Sequence, residues 1–134
     1  MGLCTRYDGK ACPCEYIMTN DSLDDFIPVC PEQLGGFSTP REPAEITRGD
    51  GRNVLDDRAR VLRRDGVDVT TGFVRGAKQA LHLARLYDIS QAYLKEGSPS
   101  CGVKRIKRDG DDIAGCGVTA ALLEREGVRI EGVS

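Results

Sequence analysis

The sequence predicts an α/β fold: a single domain over residues 1–134, three-layered and Rossmann-like, with a mainly parallel sheet. Short apolar runs alternate with segments of helical period, the order that builds right-handed crossovers and a parallel sheet. Trp is absent and aromatic residues are only 5% of the chain, so Leu, Ile, Val and Ala must build the core, as in α/β domains rather than β-sandwiches. A chain of 134 residues can bury one such core without disulfide staples.

Each element has its own signal. Phe26-Ile27-Pro28-Val29-Cys30 is a short apolar run ended by Pro31 and reads as a buried strand. Leu34 to Asp57, rich in Gly, Pro and charge, reads as one long ordered loop, of the kind that carries function in compact domains. Arg58 to Asp68, with Asp65-Gly66 at its turn, reads as a small edge hairpin. Asp68 can cap a helix over about Val69–Tyr87, where Phe73, Ala77, Ala80, Leu81 and Ala84 share one face. Ile89 to Leu94 reads as a second buried strand, running into the loop Glu96-Gly97-Ser98-Pro99-Ser100-Cys101-Gly102. Val118 to Glu126 has helical spacing and stops at Gly127, and Val128 to Val133 is the last strand.

Charge excludes some functions. Nineteen Lys and Arg against 21 Asp and Glu give a net charge of −2, so no basic excess points to nucleic acid or an anionic membrane. No apolar run approaches the roughly 20 residues of a membrane helix, and the start, with Arg6, Asp8 and Lys10, does not read as a signal peptide. The expectation is a soluble, cytoplasmic protein. Gly97 to Lys104 places the glycines of a phosphate loop but not its Lys and Ser/Thr, and Gly49-Asp50-Gly51 is a turn signal, so nucleotide hydrolysis is poorly supported.

Six cysteines pose the main question, because a cytosolic chain uses them for metal or reactive chemistry rather than disulfides. Cys30 and Cys101 both follow expected strands, and ligands of parallel sheets gather beyond the strands' carboxyl ends. Two thiolates from separate loops, plus one more, can hold a soft metal or an iron–sulfur cluster. Equally, both can be small buried hydrophobes, and the residues alone leave the two readings level. Cys12-Pro13-Cys14 is too tight for a zinc ribbon, and no second pair completes it. Cys116, between Gly115 and Gly117 before a helix, reads as a loop filler more readily than as an activated thiol. His82, the single histidine, sits mid-helix and reads as an ordinary helix residue rather than a catalytic base.

A set of motifs spans nearly the whole chain in order. Arg6-Tyr7-Asp8-Gly9 is followed by Cys30-Pro31-Glu32-x-x-Gly35-Gly36 and Pro40-Arg41-x-Pro43-Ala44-Glu45-Ile46. Then come Asp68-Val69-Thr70-x-x-Phe73-x-x-Gly76-Ala77, Ser98-Pro99-Ser100-Cys101-Gly102 and Gly117-Val118-Thr119-Ala120. Together they resemble a bacterial family labelled a domain of unknown function, which includes the catalytic domain of thiouracil desulfidase. The resemblance implies a [4Fe-4S] cluster held by three cysteines, with one iron open to bind the sulfur of a small thiolated substrate such as a thiopyrimidine. It also implies a non-redox replacement of that sulfur by oxygen.

By the same resemblance Cys30 and Cys101 match two cluster ligands, Glu32 a catalytic acid/base and Ser98 a catalytic serine. A carboxylate beside a water can act as general base, and a hydroxyl beside sulfur can relay a proton. Read without the resemblance, Glu32 caps a turn and Ser98 closes a loop. The family's first ligand precedes the position of Gly2, so either the chain lacks that cysteine and its first strand, or Cys4 serves as the third ligand. Arg41 and Glu45 are candidates for shaping the pocket. Two other classes compete: a non-catalytic metal or persulfide binding module, in which the cysteines matter but Glu32 and Ser98 do not, and a structural or regulatory partner domain with plain core cysteines.

Overall fold

A computed structural model of the chain describes residues 16–19, 26–38 and 42–134. In chain order the elements are β1 (Tyr16–Thr19), β2 (Phe26–Pro28), α1 (Pro31–Leu34), β3 (Ala44–Ile46), α2 (Gly51–Leu55) and β4 (Val61–Arg63). They continue with α3 (Thr70–Leu86), β5 (Gln91–Lys95), β6 (Arg105–Arg108), β7 (Asp111–Ala114), α4 (Val118–Arg125) and β8 (Arg129–Val133). The two long helices and the strands at 26, 91 and 129 stand where their periodicity places them.

The main sheet has the order β2-β1-β5-β8. β5 and β8 pair in parallel, whereas β1 is antiparallel to both β2 and β5. β2, β5 and β8 therefore share a direction, but among the described residues only one hydrogen-bonded pair in the sheet is parallel. The expected mainly parallel, Rossmann-like sheet is corrected to a mixed one, because a strand of reverse direction lies between the two that precede Cys30 and Cys101. The three-layer expectation is not met among the described residues either. Ala92 and Leu94 of β5 are fully buried against Leu81, Ala84, Ala120 and Leu123 of the helices, while Gln91, Tyr93 and Lys95 on the opposite side remain partly exposed.

A second packed cluster joins Ile46, Val54, Val61, Phe73, Ala77, Ile106 and Val118. α3 and α4 each contribute to both clusters, so they tie the main sheet to two small antiparallel ribbons, β3–β4 and β6–β7. The span Leu34–Asp57, expected as one loop, holds β3 and α2. α2 is closed by a capping box in which the Asp50 carboxylate accepts from the Arg52 N–H at 3.0 Å and the Asn53 side chain accepts from the Asp50 N–H at 2.9 Å. The expected hairpin over 58–68 is confined to the tight turn at Asp65-Gly66 and one bridge, Leu62 to Asp68; the partner of β4 over its whole length is β3.

Asp68 does serve the start of α3: its Oδ1 accepts from the Thr70 N–H at 2.9 Å. The Arg60 guanidinium, 2.8 Å from its other oxygen, and the bonds from Thr70 hold the Asp68 carboxyl down to about 2. The hairpin β6–β7 turns on Asp109-Gly110, both with positive φ (53° and 83°), the geometry of a type I′ turn. No described helix is long and apolar enough to cross a membrane.

Candidate metal centre

Cys30 ends the chain's exit from β2 and occupies the N-cap position of α1, with Pro31 at the first helical position and Glu32 in the first turn. Pro suits that position because its missing N–H would have no partner there. α1 is one turn long, so it depends on what it lies against, which is α3 at Gly76. A β-carbon at Gly76 would collide with the Pro31 carbonyl oxygen. Close backbone contact, which only glycine permits, thus holds the Cys30-Pro31-Glu32 turn on the helix. The Glu32 carbonyl accepts from the Phe37 N–H at 3.1 Å, and the Phe37 ring packs on Phe73 with centroids 5.3 Å apart.

Cys101 is placed by a second tight turn. Ser98 Oγ accepts from the N–H groups of Ser100 and Cys101, both at 3.1 Å, and the Ser98 carbonyl accepts from the Gly102 N–H at 2.9 Å. The loop is then fastened to the start of α4. The Val118 N–H donates to the Pro99 carbonyl, and those of Thr119 and Ala120 donate to the Ser100 carbonyl, at 2.8, 2.8 and 3.2 Å. Amides that a helix start ordinarily leaves to water or a cap are spent here on the cysteine loop. Buried Ser100 and Thr119 hydroxyls meet at 2.9 Å, and Gly117 lies so close that a β-carbon would overlap the Ser100 carbonyl group.

Glu96 holds the far side of this loop. Its carboxylate accepts from the N–H groups of Val103 and Lys104 at 2.7 and 3.0 Å. No sequence signal marked Glu96, because a single acidic residue at a strand end has this role only once the loop folds back on it.

Cys30 and Cys101 are both buried and belong to the same packed cluster, along with Cys116. Since β2 and β5 run in one direction, the two thiols leave the sheet at the same end despite the reversed strand between them. Cys116 has its own partner in Asp50. Its thiol donates to Asp50 Oδ2 at 3.5 Å and its N–H to the same oxygen at 3.3 Å. Burial, followed by the Asp50 charge, pushes the Cys116 thiol up to about 11, so it is the activated-thiol reading that fails here. A thiol raised in the folded state keeps its proton while the unfolded chain loses one, so stability falls as pH rises from about 9 to about 11. Replacing Cys116 by Ser should remove about 2 kcal/mol of alkaline destabilisation at about pH 10.5. Urea unfolding of both proteins at neutral and alkaline pH measures this; parallel pH slopes would refute it.

Among the described residues, no group of three His, Cys, Asp or Glu side chains is placed to hold a metal ion. Cys4 and Arg41 lie outside the described residues, as do Cys12 and Cys14. Glu45 accepts from the Asp109 N–H at 3.0 Å and lines a groove with Arg63, Arg64 and Arg108; none of Cys30, Glu32, Ser98 or Cys101 lines it. His82 is exposed on α3.

Buried thiols delivered from two loops to one end of a sheet are what a thiol-ligated centre needs, and equally what a packed core accepts. The particular family follows from comparison: residues 1–132 match the model of the 2-thiouracil desulfurase family, and the chain belongs to that family. It is 43% identical over 132 residues to the uncharacterized protein YbbK of Bacillus subtilis (strain 168), covering 96% of this chain and 87% of that protein. It is also similar to the solved structure of TudS, a [4Fe-4S]-dependent thiouracil desulfidase. The TM-score is 0.77 and the identity 38%, over 98% of this chain and 83% of the other.

Proposed function

We propose that the chain is a desulfidase that replaces the sulfur of a small thiolated compound, a thiopyrimidine of the thiouracil type, with oxygen, using a [4Fe-4S] cluster. The observation that carries this reading is the burial of Cys30 and Cys101 in one cluster at one end of the sheet, in a member of a 2-thiouracil desulfurase family. The donor chemistry fits: both are soft thiols in apolar surroundings, the setting in which iron–sulfur groups are held. Cys30 and Cys101 are two of the proposed ligands, and Cys4 is assigned as the third. When bound, such a cluster supplies an open iron, a Lewis acid for the thiocarbonyl sulfur that needs no electron transfer.

The remaining work falls to side chains. A thiocarbonyl and water become a carbonyl and hydrogen sulfide, so one group must take a proton from the attacking water and one must deliver a proton to sulfur. Glu32, in the first turn of α1 two residues after Cys30, is assigned the first role. Ser98 is assigned the second. Its oxygen already accepts two backbone N–H bonds, which fixes the hydroxyl and leaves its proton to donate. The loop-closing role and the proton-relaying role are therefore compatible in one residue.

Anaerobic reconstitution with iron and sulfide tests the proposal. The chain should take up a full cluster's complement of iron with broad visible absorbance and release sulfide from thiouracil. Cys30→Ser and Cys101→Ser should each lose most of the iron. Absence of iron uptake by the unaltered chain would overturn the cluster. Uptake without sulfide release from any thiopyrimidine would favour a binding module instead.

A further inference from the structure

We propose that β8 is the docking edge for a second copy of this chain, paired antiparallel about a two-fold axis through Ile130. β8 stands at the end of the strand order, so among the described residues no strand lies on its outer side. Its hydrogen bonds fix which groups are open. The Arg129 N–H donates to the Ser90 carbonyl at 3.1 Å and the Val133 carbonyl accepts from the Glu96 N–H at 2.9 Å, so the odd-numbered residues face β5. Ile130 and Gly132 therefore direct their backbone N–H and C=O outward, as alternate residues of a strand must. The Val128 N–H is already spent on the Leu123 carbonyl, at 2.9 Å.

Charged edges ordinarily keep strands apart, but here the order of charge selects one pairing. Arg129 and Glu131 are exposed, flank Ile130 on the same face, and have no ion-pair partner among the described residues. Pairing must match outward groups to outward groups, which leaves few registers. A register centred on Arg129 places arginine opposite arginine, and one centred on Glu131 places glutamate opposite glutamate. A register centred on Gly132 sets Glu131 opposite Val133. Centring on Ile130 alone sets Arg129 of each copy opposite Glu131 of the other, twice by symmetry. It also lets the two Ile130 residues exchange both N–H and C=O, and gives the Gly132 N–H the Val128 carbonyl. Ile130 is half-buried against the core, so its uncovered side gains a neighbour. A groove lined by Gln91, Glu124 and residues 127–131 runs beside the strand and leaves room for the approach.

The test is the mass of the full chain in reducing buffer, by size exclusion with light scattering over a concentration series. The chain should run at twice its 14.6 kDa mass. Arg129→Glu or Glu131→Arg alone, each turning two attractive pairs into two repulsive ones, should weaken the dimer by about tenfold or more. The double reversal R129E/E131R should restore it. Ile130→Pro, tolerated by the fold because that N–H points outward, should give monomer. A monomer at every concentration overturns the proposal. So does a dimer indifferent to Ile130→Pro or to the single reversals, since either would place the contact elsewhere.

Discussion

Gly117→Ala is expected to cost about 3 kcal/mol or more and to loosen the Cys101 turn with it. A β-carbon at Gly117 would overlap the Ser100 carbonyl carbon and oxygen and come within 2.7 Å of the Cys101 nitrogen. All three are backbone atoms, so no side chain can swing away; either the loop or the start of α4 must shift. Overpacking of this kind costs a few kcal/mol where the surroundings are rigid. Here the surroundings are the bonds from Val118, Thr119 and Ala120 to the loop carbonyls and the buried Ser100–Thr119 contact. Thermal unfolding of the apo chain reads the stability loss, and iron uptake reads the loosened turn. A stability change below about 1 kcal/mol would show that the interface is slacker than described.

Glu32→Ala is expected to take up iron as the unaltered chain does, yet to lose sulfide release by about 10²- to 10⁴-fold, the usual contribution of a positioned general base. The separation is expected because the turn is held by Pro31 against Gly76 and by backbone bonds from Leu34 and Gly35, none of which uses the carboxylate. Matching iron content with lost turnover would assign Glu32 to proton transfer. Full turnover would remove it from the chemistry, and lost iron would make it structural.

Where the chain repeats a period over many residues, the sequence was sufficient. α3 was legible because its apolar face recurs through 17 residues, long enough for tertiary context not to override it. The strands ending near Cys30 and Cys101 were legible for another reason: each is an apolar run closed by a Pro or Gly. The other short elements were not legible. β3 and β4 have three residues each, too few to show an alternation, and β6 carries one apolar residue, Ile106, among three basic ones. The β6–β7 hairpin was missed, although Asp109-Gly110 is the kind of pair such a turn uses. The direction of β1 could not be read at all, since a strand's polarity in a sheet is decided by where its neighbours lie.

The site divides in the same way. Cys30 and Cys101 could be found from strand ends, because strand direction sets where the following loops emerge. Asp50, Glu96 and Gly117 could not, because each acts on residues distant in sequence: Asp50 on Cys116, Glu96 on Val103 and Lys104, and Gly117 on Ser100. The Asp50-Gly51 pair looked like an ordinary turn and proved to be a helix cap that also receives a buried thiol.

The hydrogen bonds from α4 to Pro99 and Ser100 have a kinetic consequence. A loop held only by its own turn can breathe open on its own, but this one shares its carbonyls with the first turn of a helix that fills the core. Opening around Cys101 must break the start of α4 as well, which makes loop and helix one cooperative unit with a single opening free energy. Any release that requires the Cys101 loop to open is therefore tied to the unfastening of a core helix rather than to the faster motion of a surface loop.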